Sequence, residues 1–252
     1  MALALTEKPV LSLIIPTFNE GQNIPELFER IGTCSSHISL ELIVVDDNSP
    51  DGTAEIAERL NSKYGNVQVC KRAGKLGLSS AVLCGFNHAR GSIVAVIDAD
   101  MQHPPEIIPK MYEAIATHDY DLVIASRYVR GGKIEDWKST RKICSLFAIL
   151  FAHIFLPNSR KIKDVTSGCF MIKKNKLNNA ELNPIGFKIL LEIVSKIEFN
   201  RVFEIPFVFT NRLNGKSNLN DKEIKNYLIH IGRLFYYSRL THINGRRVNA
   251  IH

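Results

Sequence analysis

Apolar runs alternate with amphipathic stretches through the first half of the chain. Five apolar runs predict β-strands, at residues 10–16, 40–47, 67–72, 92–100 and 121–129. Helices are predicted between them at about residues 23–31, 51–64 and 78–89, the second with Asp51 or Thr53 as its cap. Strands that are apolar throughout and separated by helices are typical of a parallel sheet covered on both faces. The pattern therefore predicts a single α/β domain over residues 1–252.

Two further helices with apolar surfaces are predicted in the second half, at Arg141–Leu156 and at about residues 222–240. In the latter, apolar residues recur at spacings of three and four, which marks one face of a helix. Such a face is ordinarily part of the core. The alternative is that both helices lie on a membrane surface with the apolar side down. No transmembrane segment is predicted, because the most apolar stretch, Leu146–Leu156, is about half of the roughly 20 residues that a spanning helix needs.

Composition and charge narrow the class of protein. An apolar content of 45% and a charged content of 23% are ordinary for a folded globular protein. Five scattered cysteines without a CxxC pair argue against a disulfide framework or a zinc site and fit a reducing compartment. The net charge of +7 is concentrated beyond residue 211, where eight Lys or Arg face two acidic residues. Such a basic tail suits phosphate, anionic lipid or nucleic acid, or is a solvated helix face, and no nucleic-acid motif accompanies it.

Polar side chains follow three of the predicted strands. The segments are Pro16–Glu20 (PTFNE), Asp46–Ser49 (DDNS) and Asp98–Asp100 (DAD). In parallel α/β sheets, ligands bind beyond the carboxyl ends of the strands. Asp and Asn are also common turn residues, so one such end would mean little. Three ends on the same edge predict a binding site.

Asp98 and Asp100 are the most informative pair. In an extended segment, residues two apart point the same way, and two carboxylates aimed together repel unless a proton or a cation lies between them. Oxygen ligands suit Mg²⁺ or Mn²⁺, and Gln102 offers a neutral oxygen nearby. The alternative is a capping turn ahead of the next helix, and the DxD pattern alone leaves both open.

Five sequence blocks widen the view: SLIIPTFNE, IVVDDNSPDGT, KLGLSSAVLCGF, VIDADMQHPPE and ASRYVRGG. Together they resemble the family 2 glycosyltransferases with an A-type nucleotide-sugar fold. Four later blocks are similar to the dolichyl-phosphate (polyprenyl-phosphate) mannose synthases of that family: GGKIEDWKSTRKICS, DVTSGCFMIKK, NPIGFKILLEI and FVFTNRLNGKSN. The likeness extends from about Leu11 to Tyr237. It implies a Rossmann-like fold with a mostly parallel central sheet and helices on both faces.

The resemblance also implies how the donor is bound. Asp98, Asp100 and Gln102 would hold a divalent ion, Mg²⁺ or Mn²⁺, on the nucleotide diphosphate, with Ala99 in the same segment. Asp47 would accept a hydrogen bond from the guanine base, and Phe18, where the resembling proteins often have Tyr, would pack on it. The implied guanosine pocket comprises Pro16, Phe18, Glu20, Val45 and Asp47.

The implied phosphate-binding residues are mostly basic. Arg127, Arg141 and Ser145 would hold the acceptor phosphate and, with Asp100, form the catalytic set. Lys188 and Arg212 would close over the diphosphate or the acceptor phosphate. Surface ion pairing is the alternative for each arginine taken alone. The segment GKSN, at residues 215–218, lacks the lysine that the resembling proteins carry at its last position, and Lys216 is the candidate to replace it.

The implied reaction is an inverting transfer of mannose from GDP-mannose to dolichyl or another polyprenyl phosphate. We expect it at the cytoplasmic face of a membrane: the endoplasmic reticulum in a eukaryote, the plasma membrane in a prokaryote. Attachment would be peripheral or through a small membrane-anchoring subunit, and no nucleic-acid partner is expected. Two alternatives remain open, transfer of glucose or another sugar to polyprenyl phosphate, and a non-catalytic subunit that binds nucleotide sugar.

Overall fold

A seven-stranded sheet forms the centre of the protein in the computed structural model, which describes residues 8–135, 137, 139–178, 180–210 and 221–249, with side chains of the last helix described for 222–240. The strand order is β3-β2-β1-β4-β7-β5-β8, and β6 and β9 form a separate pair. The strands are β1 (Leu11–Thr17), β2 (Leu40–Asp46), β3 (Val67–Lys71), β4 (Ile93–Val96), β5 (Leu122–Ser126), β6 (Lys133–Ile134), β7 (Phe170–Lys173), β8 (Val202–Pro206) and β9 (Val208–Phe209).

Seven α-helices are found in the described part of the chain. They are α1 (Ile24–Cys34), α2 (Thr53–Tyr64), α3 (Leu78–His88), α4 (Ile108–Ala116), α5 (Ser139–Phe155), α6 (Ile189–Lys196) and α7 (Asp221–Asn249). Alternate side chains of β1 enter two separate cores, because successive residues of a strand point to opposite faces. Leu13 packs with Phe28 of α1 on one face, and Ile14 packs with Val82 of α3 on the other. The predicted sheet with helices on both faces is confirmed.

One strand of the sheet runs against the others. β7 pairs antiparallel with both β4 and β5, whereas β1, β2, β3 and β4 are parallel to one another. The chain passes from β5 through α5 and returns between β4 and β5, so these two strands are not direct neighbours. The sequence pattern predicted no strand at this position, because a four-residue apolar segment carries too little periodicity.

The predicted boundaries differ from the observed ones mainly where the chain turns toward the site. The strand predicted over 92–100 ends at Val96, since the chain turns after Ile97, whose backbone N–H still donates to Ile14. Helix α2 begins at Thr53 with Gly52 as its cap, so neither predicted cap residue holds that position. Asp51 instead accepts a hydrogen bond from the Thr53 backbone N–H at 3.1 Å and fixes the entry to the helix.

Helix α7 includes the helix predicted at about 222–240 and divides its apolar residues between two environments. Ile231 and Leu234 are buried, whereas Ile224 and Leu228 are about half exposed. On α5, which includes most of the predicted Arg141–Leu156 helix, Phe147 is 66% exposed. One strip is therefore core, as one alternative predicted, and another faces outward, where membrane contact stays a prediction. Within the described residues, no helix combines the length and hydropathy that crossing a bilayer requires.

Candidate active site

The three polar strand ends each turn through a residue with left-handed backbone conformation. Asn19, Asn48 and Met101 have φ of 59°, 58° and 63° and lie just beyond β1, β2 and β4. Asn adopts this conformation more readily than most residues, but Met does not. The turn at Met101 is therefore held by its surroundings, and such strain is often found at functional sites.

The turn after β4 gathers the predicted metal-binding residues. Asp100 is buried, and its Oδ1 accepts a hydrogen bond from the Gln102 backbone N–H at 3.1 Å. The Gln102 side chain donates through Nε2 to the carbonyl of Thr210 at 3.1 Å. That bond assigns the amide oxygen as the atom that a cation would use. Ala99, between the two aspartates, is buried and contributes to the core.

His103 lies beside Asp98 without neutralising it. Burial, and then the positive charge of Arg127, lower the pKa of His103 to about 3, so the ring is neutral at physiological pH. Its Nδ1 is 3.6 Å from Asp98 Oδ2, which is too long for a hydrogen bond. The ring stacks on Phe207, with 5.1 Å between centroids, and so walls the site with an apolar surface.

The donor atoms at this turn fit a hard divalent cation. Two carboxylates and an amide oxygen are ligands that Mg²⁺ and Mn²⁺ accept, and Mg²⁺ is commonly held by one or two carboxylates with substrate phosphates completing its shell. Among the described residues, no cluster of three or more His, Cys, Asp or Glu side chains could hold an ion alone. Because these three side chains would leave part of the coordination shell open, the arrangement suits a metal shared with a phosphorylated ligand.

Because Gly168 has no side chain, the Asp98 carboxylate can occupy the space beside it. A Cβ added at this glycine would lie 2.7 Å from Asp98 Oδ2, closer than real contacts allow. We expect Gly168→Ala to displace the Asp98 carboxylate and weaken Mn²⁺-dependent nucleotide binding about 10-fold, the lower end for a disturbed metal-ligand environment. Calorimetric titration with GDP and Mn²⁺ measures this. Gly74→Ala is the matched control, because nothing lies within 4 Å of its Cβ position. Equal binding by both variants would contradict the prediction.

The ends of β1 and β2 bring the predicted nucleotide residues together. Pro16 and Val45 are opposite each other in the parallel register and are both buried. Asp47 is buried and accepts a hydrogen bond from the Gly77 backbone N–H at 2.9 Å. The Arg72 side chain also approaches Asp47, with 2.9 Å between Nε and Oδ1. Because a carboxylate has about four acceptor positions, Asp47 retains capacity for a ligand N–H.

Phe18 and Glu20 lie in the turn that follows β1. The Lys75 ammonium is 3.9 Å from the centroid of the Phe18 ring. Glu20 accepts a hydrogen bond from the Asn23 side chain at 2.6 Å. Arg72 ends the strand predicted at residues 67–72 and Lys75 begins the block KLGLSSAVLCGF, but the sequence predicted no role for either residue. Their only signal was their position after β3, at the same edge of the sheet.

Arg127 forms a buried ion pair that the sequence did not predict. Its Nε donates to Asp164 Oδ2 at 2.7 Å and its Nη2 to Oδ1 at 2.7 Å. The Arg127 backbone N–H also donates to Asp164, and Nη2 donates to Thr166 at 3.1 Å. Burial opposes the charge on Asp164, yet the Arg127 guanidinium holds its pKa below the usual range. Much of the positive charge of Arg127 is therefore balanced within the protein.

Arg141 and Ser145 lie in the first turns of α5. The Arg141 guanidinium lies over the Trp137 ring, 4.0 Å from its centroid. Arg127 approaches the same ring at 5.6 Å, so Trp137 is a neighbour of both guanidinium groups. Ser145 Oγ accepts a hydrogen bond from the Tyr128 hydroxyl at 2.9 Å. Trp137 and Tyr128 thus position two predicted acceptor residues, and neither was singled out from the sequence.

Lys188 is the last of the described residues that are predicted to bind phosphate. Its ammonium donates to the Thr166 carbonyl at 2.7 Å, is attracted by Asp164 and Asp98, and is repelled by Arg127 and Arg141. Burial, and then the charge of Arg127, lower the pKa of Lys188 to about 8. Arg212 and Lys216 lie outside the described residues. The predicted cations that are described therefore converge near the carboxylates at the end of β4.

Comparison with known sequences identifies relatives over most of the chain. The sequence model of the family described as Glycosyl transferase family 2 matches residues 12–180. A dolichol-phosphate mannosyltransferase from Pyrococcus furiosus is 50% identical over 89% of this chain, which spans 63% of that relative's length. An enzyme of the same name from Saccharomyces cerevisiae is 37% identical, with 90% of this chain and 87% of the yeast protein covered.

Solved structures share the fold at low sequence identity. A glucosyl-3-phosphoglycerate synthase from Mycobacterium tuberculosis, in complex with Mn²⁺ and UDP-glucose, superposes with a TM-score of 0.68 at 16% identity over 93% of this chain and 81% of the other. A mannosyltransferase from Pyrobaculum calidifontis, in complex with GDP-mannose and Mn²⁺, has a TM-score of 0.56 at 18% identity over 84% and 59%. These similarities confirm the predicted A-type fold.

Proposed function

Since the chain belongs to glycosyl transferase family 2 and, within it, to the dolichol-phosphate mannosyltransferases, we propose that it transfers mannose from GDP-mannose to dolichyl or another polyprenyl phosphate. The observation that carries this proposal is that carboxylates and basic side chains gather where β4 ends. The Lys188 ammonium feels the charges of Asp98, Asp164, Arg127 and Arg141. Such a site suits a ligand with several phosphate groups.

The donor would be held from both ends. Asp47 accepts hydrogen bonds from the guanine base, and Phe18 packs on the face of the base once Lys75 moves from it. Asp98, Asp100 and the amide oxygen of Gln102 would hold Mg²⁺ or Mn²⁺. When bound, the ion supplies positive charge that stabilises the diphosphate as the bond to the sugar breaks.

The acceptor requires positioning more than activation. A lipid monophosphate is already anionic at neutral pH, so no general base is needed to create the nucleophile. Arg141 and Lys188 attract its phosphate, and Ser145 donates to one of its oxygens. Arg127, whose charge is shared with Asp164, orients the remaining oxygens. Attack from the face opposite the diphosphate inverts the anomeric carbon, so an α-linked donor gives a β-linked mannosyl phosphate.

The exposed side of α5 provides a route for the lipid chain. Four side chains line an apolar groove on this helix: Ile143, Leu146, Phe147 and Leu150. The groove begins at Ile143, two residues beyond Arg141, which places an apolar surface next to the residues proposed to bind the phosphate. We propose that this surface contacts a membrane, whose cytoplasmic face is the prediction from sequence, with or without a small anchoring subunit. Basic residues flanking an apolar strip favour such interfacial binding.

Introducing a charge into the groove tests the membrane contact. We expect Phe147→Asp to reduce sedimentation with polyprenyl-phosphate-containing vesicles by about 10-fold or more, since the buried area of an aromatic ring is replaced by a carboxylate. Leu76→Asp is the matched control, because Leu76 is 64% exposed and Phe147 is 66% exposed. Vesicle binding that falls equally in both variants would count against α5 as the contacting surface.

The titration of Lys188 predicts a pH dependence. Its pKa is lowered to about 8, so the ammonium is present below that pH and is lost as the pH rises through it. We expect kcat/KM to fall by up to about 10-fold per pH unit above that value, because this parameter reports the free enzyme. Lys188→Arg should retain activity at higher pH, since a guanidinium does not titrate there. An identical alkaline decline in both proteins would exclude Lys188 as its cause.

The donor and acceptor are tested together by following radiolabelled sugar into lipid. Purified protein in detergent is supplied with polyprenyl phosphate and GDP-mannose, GDP-glucose or UDP-glucose, with Mg²⁺, Mn²⁺ or a chelator. The proposal predicts metal-dependent mannolipid from GDP-mannose alone and a β-configured product by NMR. Transfer only from a glucose donor would replace the sugar assignment. Metal-dependent nucleotide binding without transfer from any donor would favour a non-catalytic subunit.

A further inference from the structure

Glu192 is a fully buried carboxylate to which no role is assigned above. It lies in α6, one helical turn beyond Lys188, and is 0% exposed. Burying a charge is costly unless the charge is paired and hydrogen-bonded. Four polar or basic groups contact this carboxylate, and they belong to more than one element of the fold.

The partners of Glu192 come from three separate parts of the chain. His230 of α7 lies 2.7 Å from Oε2, and Arg233 of α7 approaches the same oxygen at 3.1 Å. Lys196 of α6 lies 2.8 Å from Oε1. The Asn183 backbone N–H, in the segment before α6, donates to Oε1 at 2.7 Å. One carboxylate thus connects α6, α7 and the segment 183–188.

Helix α7 also holds the segment 183–188 directly. Arg233 donates to the carbonyl of Asn183 as well as to Glu192. Gly186, with φ of 75°, lies so close to α7 that an added Cβ would be 3.3 Å from Asn226 Cβ. A side chain at this position would meet both backbone strain and the helix. The segment that ends at Lys188 is therefore clamped between α6 and α7.

We propose that Glu192 is a positioning residue, which through His230 and Arg233 holds the segment 183–188 against α7 and so places the Lys188 ammonium at the phosphate-binding end of the site. The role of Lys188 in this statement rests on the proposed function. The clamp itself rests on the contacts that Glu192, Arg233 and Gly186 make, whatever the reaction is. Glu192 would touch neither the donor nor the acceptor, and its effect would pass through Lys188.

The same helix controls the other side of the site. The Tyr227 hydroxyl of α7 donates to the Ala148 carbonyl of α5 at 2.6 Å, and Phe235 packs edge-on against Phe155 of α5. Helix α7 therefore braces both α5, which starts near Arg141, and α6, which starts after Lys188. The relative position of these two proposed phosphate-binding cations therefore depends on α7.

The test compares Glu192→Gln with Glu198→Gln, an identical change at an exposed position near the end of α6. We expect Glu192→Gln to lower kcat about 10-fold or more, since displacing a binding group by about 1 Å can cost 100-fold. The KM for GDP-mannose should change less than about twofold, because the base pocket lies at β1 and β2. Arg233→Gln, at a partly exposed side chain, is a milder second variant that keeps the test open if Glu192→Gln fails to fold.

Coupling to Lys188 separates positioning from general destabilisation. If Glu192 acts through Lys188, the double variant Glu192→Gln/Lys188→Gln should be no slower than Lys188→Gln alone, because contacting residues of one network are not additive. Multiplied effects in the double variant would overturn the proposal. So would an unchanged kcat in both Glu192→Gln and Arg233→Gln.

Amide hydrogen exchange provides a readout without any substrate. The peptide covering 183–188 should exchange at least about 10-fold faster in Glu192→Gln than in wild type, while Glu198→Gln leaves it unchanged. Unaltered exchange in Glu192→Gln would overturn the clamp. If wild type transferred no mannose, the proposed function would fail, and exchange at 183–188 would still decide whether Glu192 holds this segment.

Discussion

Replacing Asp100 with Asn is expected to reduce mannosyl transfer by about 100- to 1,000-fold, the loss typical of removing one preorganised electrostatic group from a transition state. Asp100 is buried at the end of β4, and Asn has nearly the same size. Its side-chain oxygen can still accept the hydrogen bond that the Gln102 backbone N–H now donates to Oδ1. The substitution therefore removes negative charge and leaves the turn in place.

The loss of mannosyl transfer should depend on the concentration of the divalent ion that the proposed function requires. Radiolabelled mannolipid formation is measured at several concentrations of Mg²⁺ and Mn²⁺, with thermal unfolding as a check of the fold. Higher metal concentrations should restore part of the activity, because the variant binds the ion less tightly. Asp119→Asn is the control: this aspartate is on the surface, with a side chain 79% exposed. Activity of Asp100→Asn within about 10-fold of wild type would contradict the proposed role of Asp100 as a metal ligand.

Replacing Asp164 with Asn should lower the free energy of unfolding by about 3–5 kcal/mol, because it leaves a buried guanidinium without its counter-charge. This is the largest loss of stability expected among the substitutions proposed for this protein. Asp164 is 0% exposed, and it accepts hydrogen bonds from the side chain and the backbone of Arg127. An Asn side chain has one oxygen for these donors, and its amide nitrogen would face the guanidinium. Urea unfolding at neutral pH measures the change.

The sign of the pH dependence follows from the lowered pKa of Asp164. Burial raises the pKa of Asp164, but the hydrogen bonds and the charge of Arg127 lower it by more than burial raises it. The folded protein therefore holds the ionised form more strongly than the unfolded chain does. The stabilisation is present above the pKa of an unfolded carboxyl group and is lost as the pH falls through the folded value. Wild type should therefore lose more stability on acidification than Asp164→Asn. Equal free energies of unfolding for both proteins at neutral pH would contradict the prediction.

Apolar runs separated by amphipathic stretches were sufficient to predict β1 to β5 and α1 to α3. Side chains of β1 and β2 are buried throughout, as expected for strands covered on both faces. The carboxylates at Asp98 and Asp100 were recognisable because charges rarely end a buried strand without a function. Each of these features is local, so a short stretch of sequence contains it in full.

The partners of the site residues could not be predicted in the same way. Arg127 and Asp164 are 37 positions apart, and Glu192 and His230 are 38 apart. No local pattern indicates which of several buried charges will meet, since that depends on how α5, α6 and α7 pack. The left-handed turn at Met101 is a further case, because Met has no intrinsic preference for it.

The sequence by itself determined the order of strands and helices up to β5, the carboxylate pair, and membership of the family. Periodicity and motif composition specify these without reference to distant residues. Only the tertiary structure decided that β7 enters the sheet antiparallel, that Asp164 balances Arg127, and that one strip of α7 is buried while another is exposed. An amphipathic pattern states which face of a helix is apolar, but what covers that face is decided by the packing of elements far away in the chain.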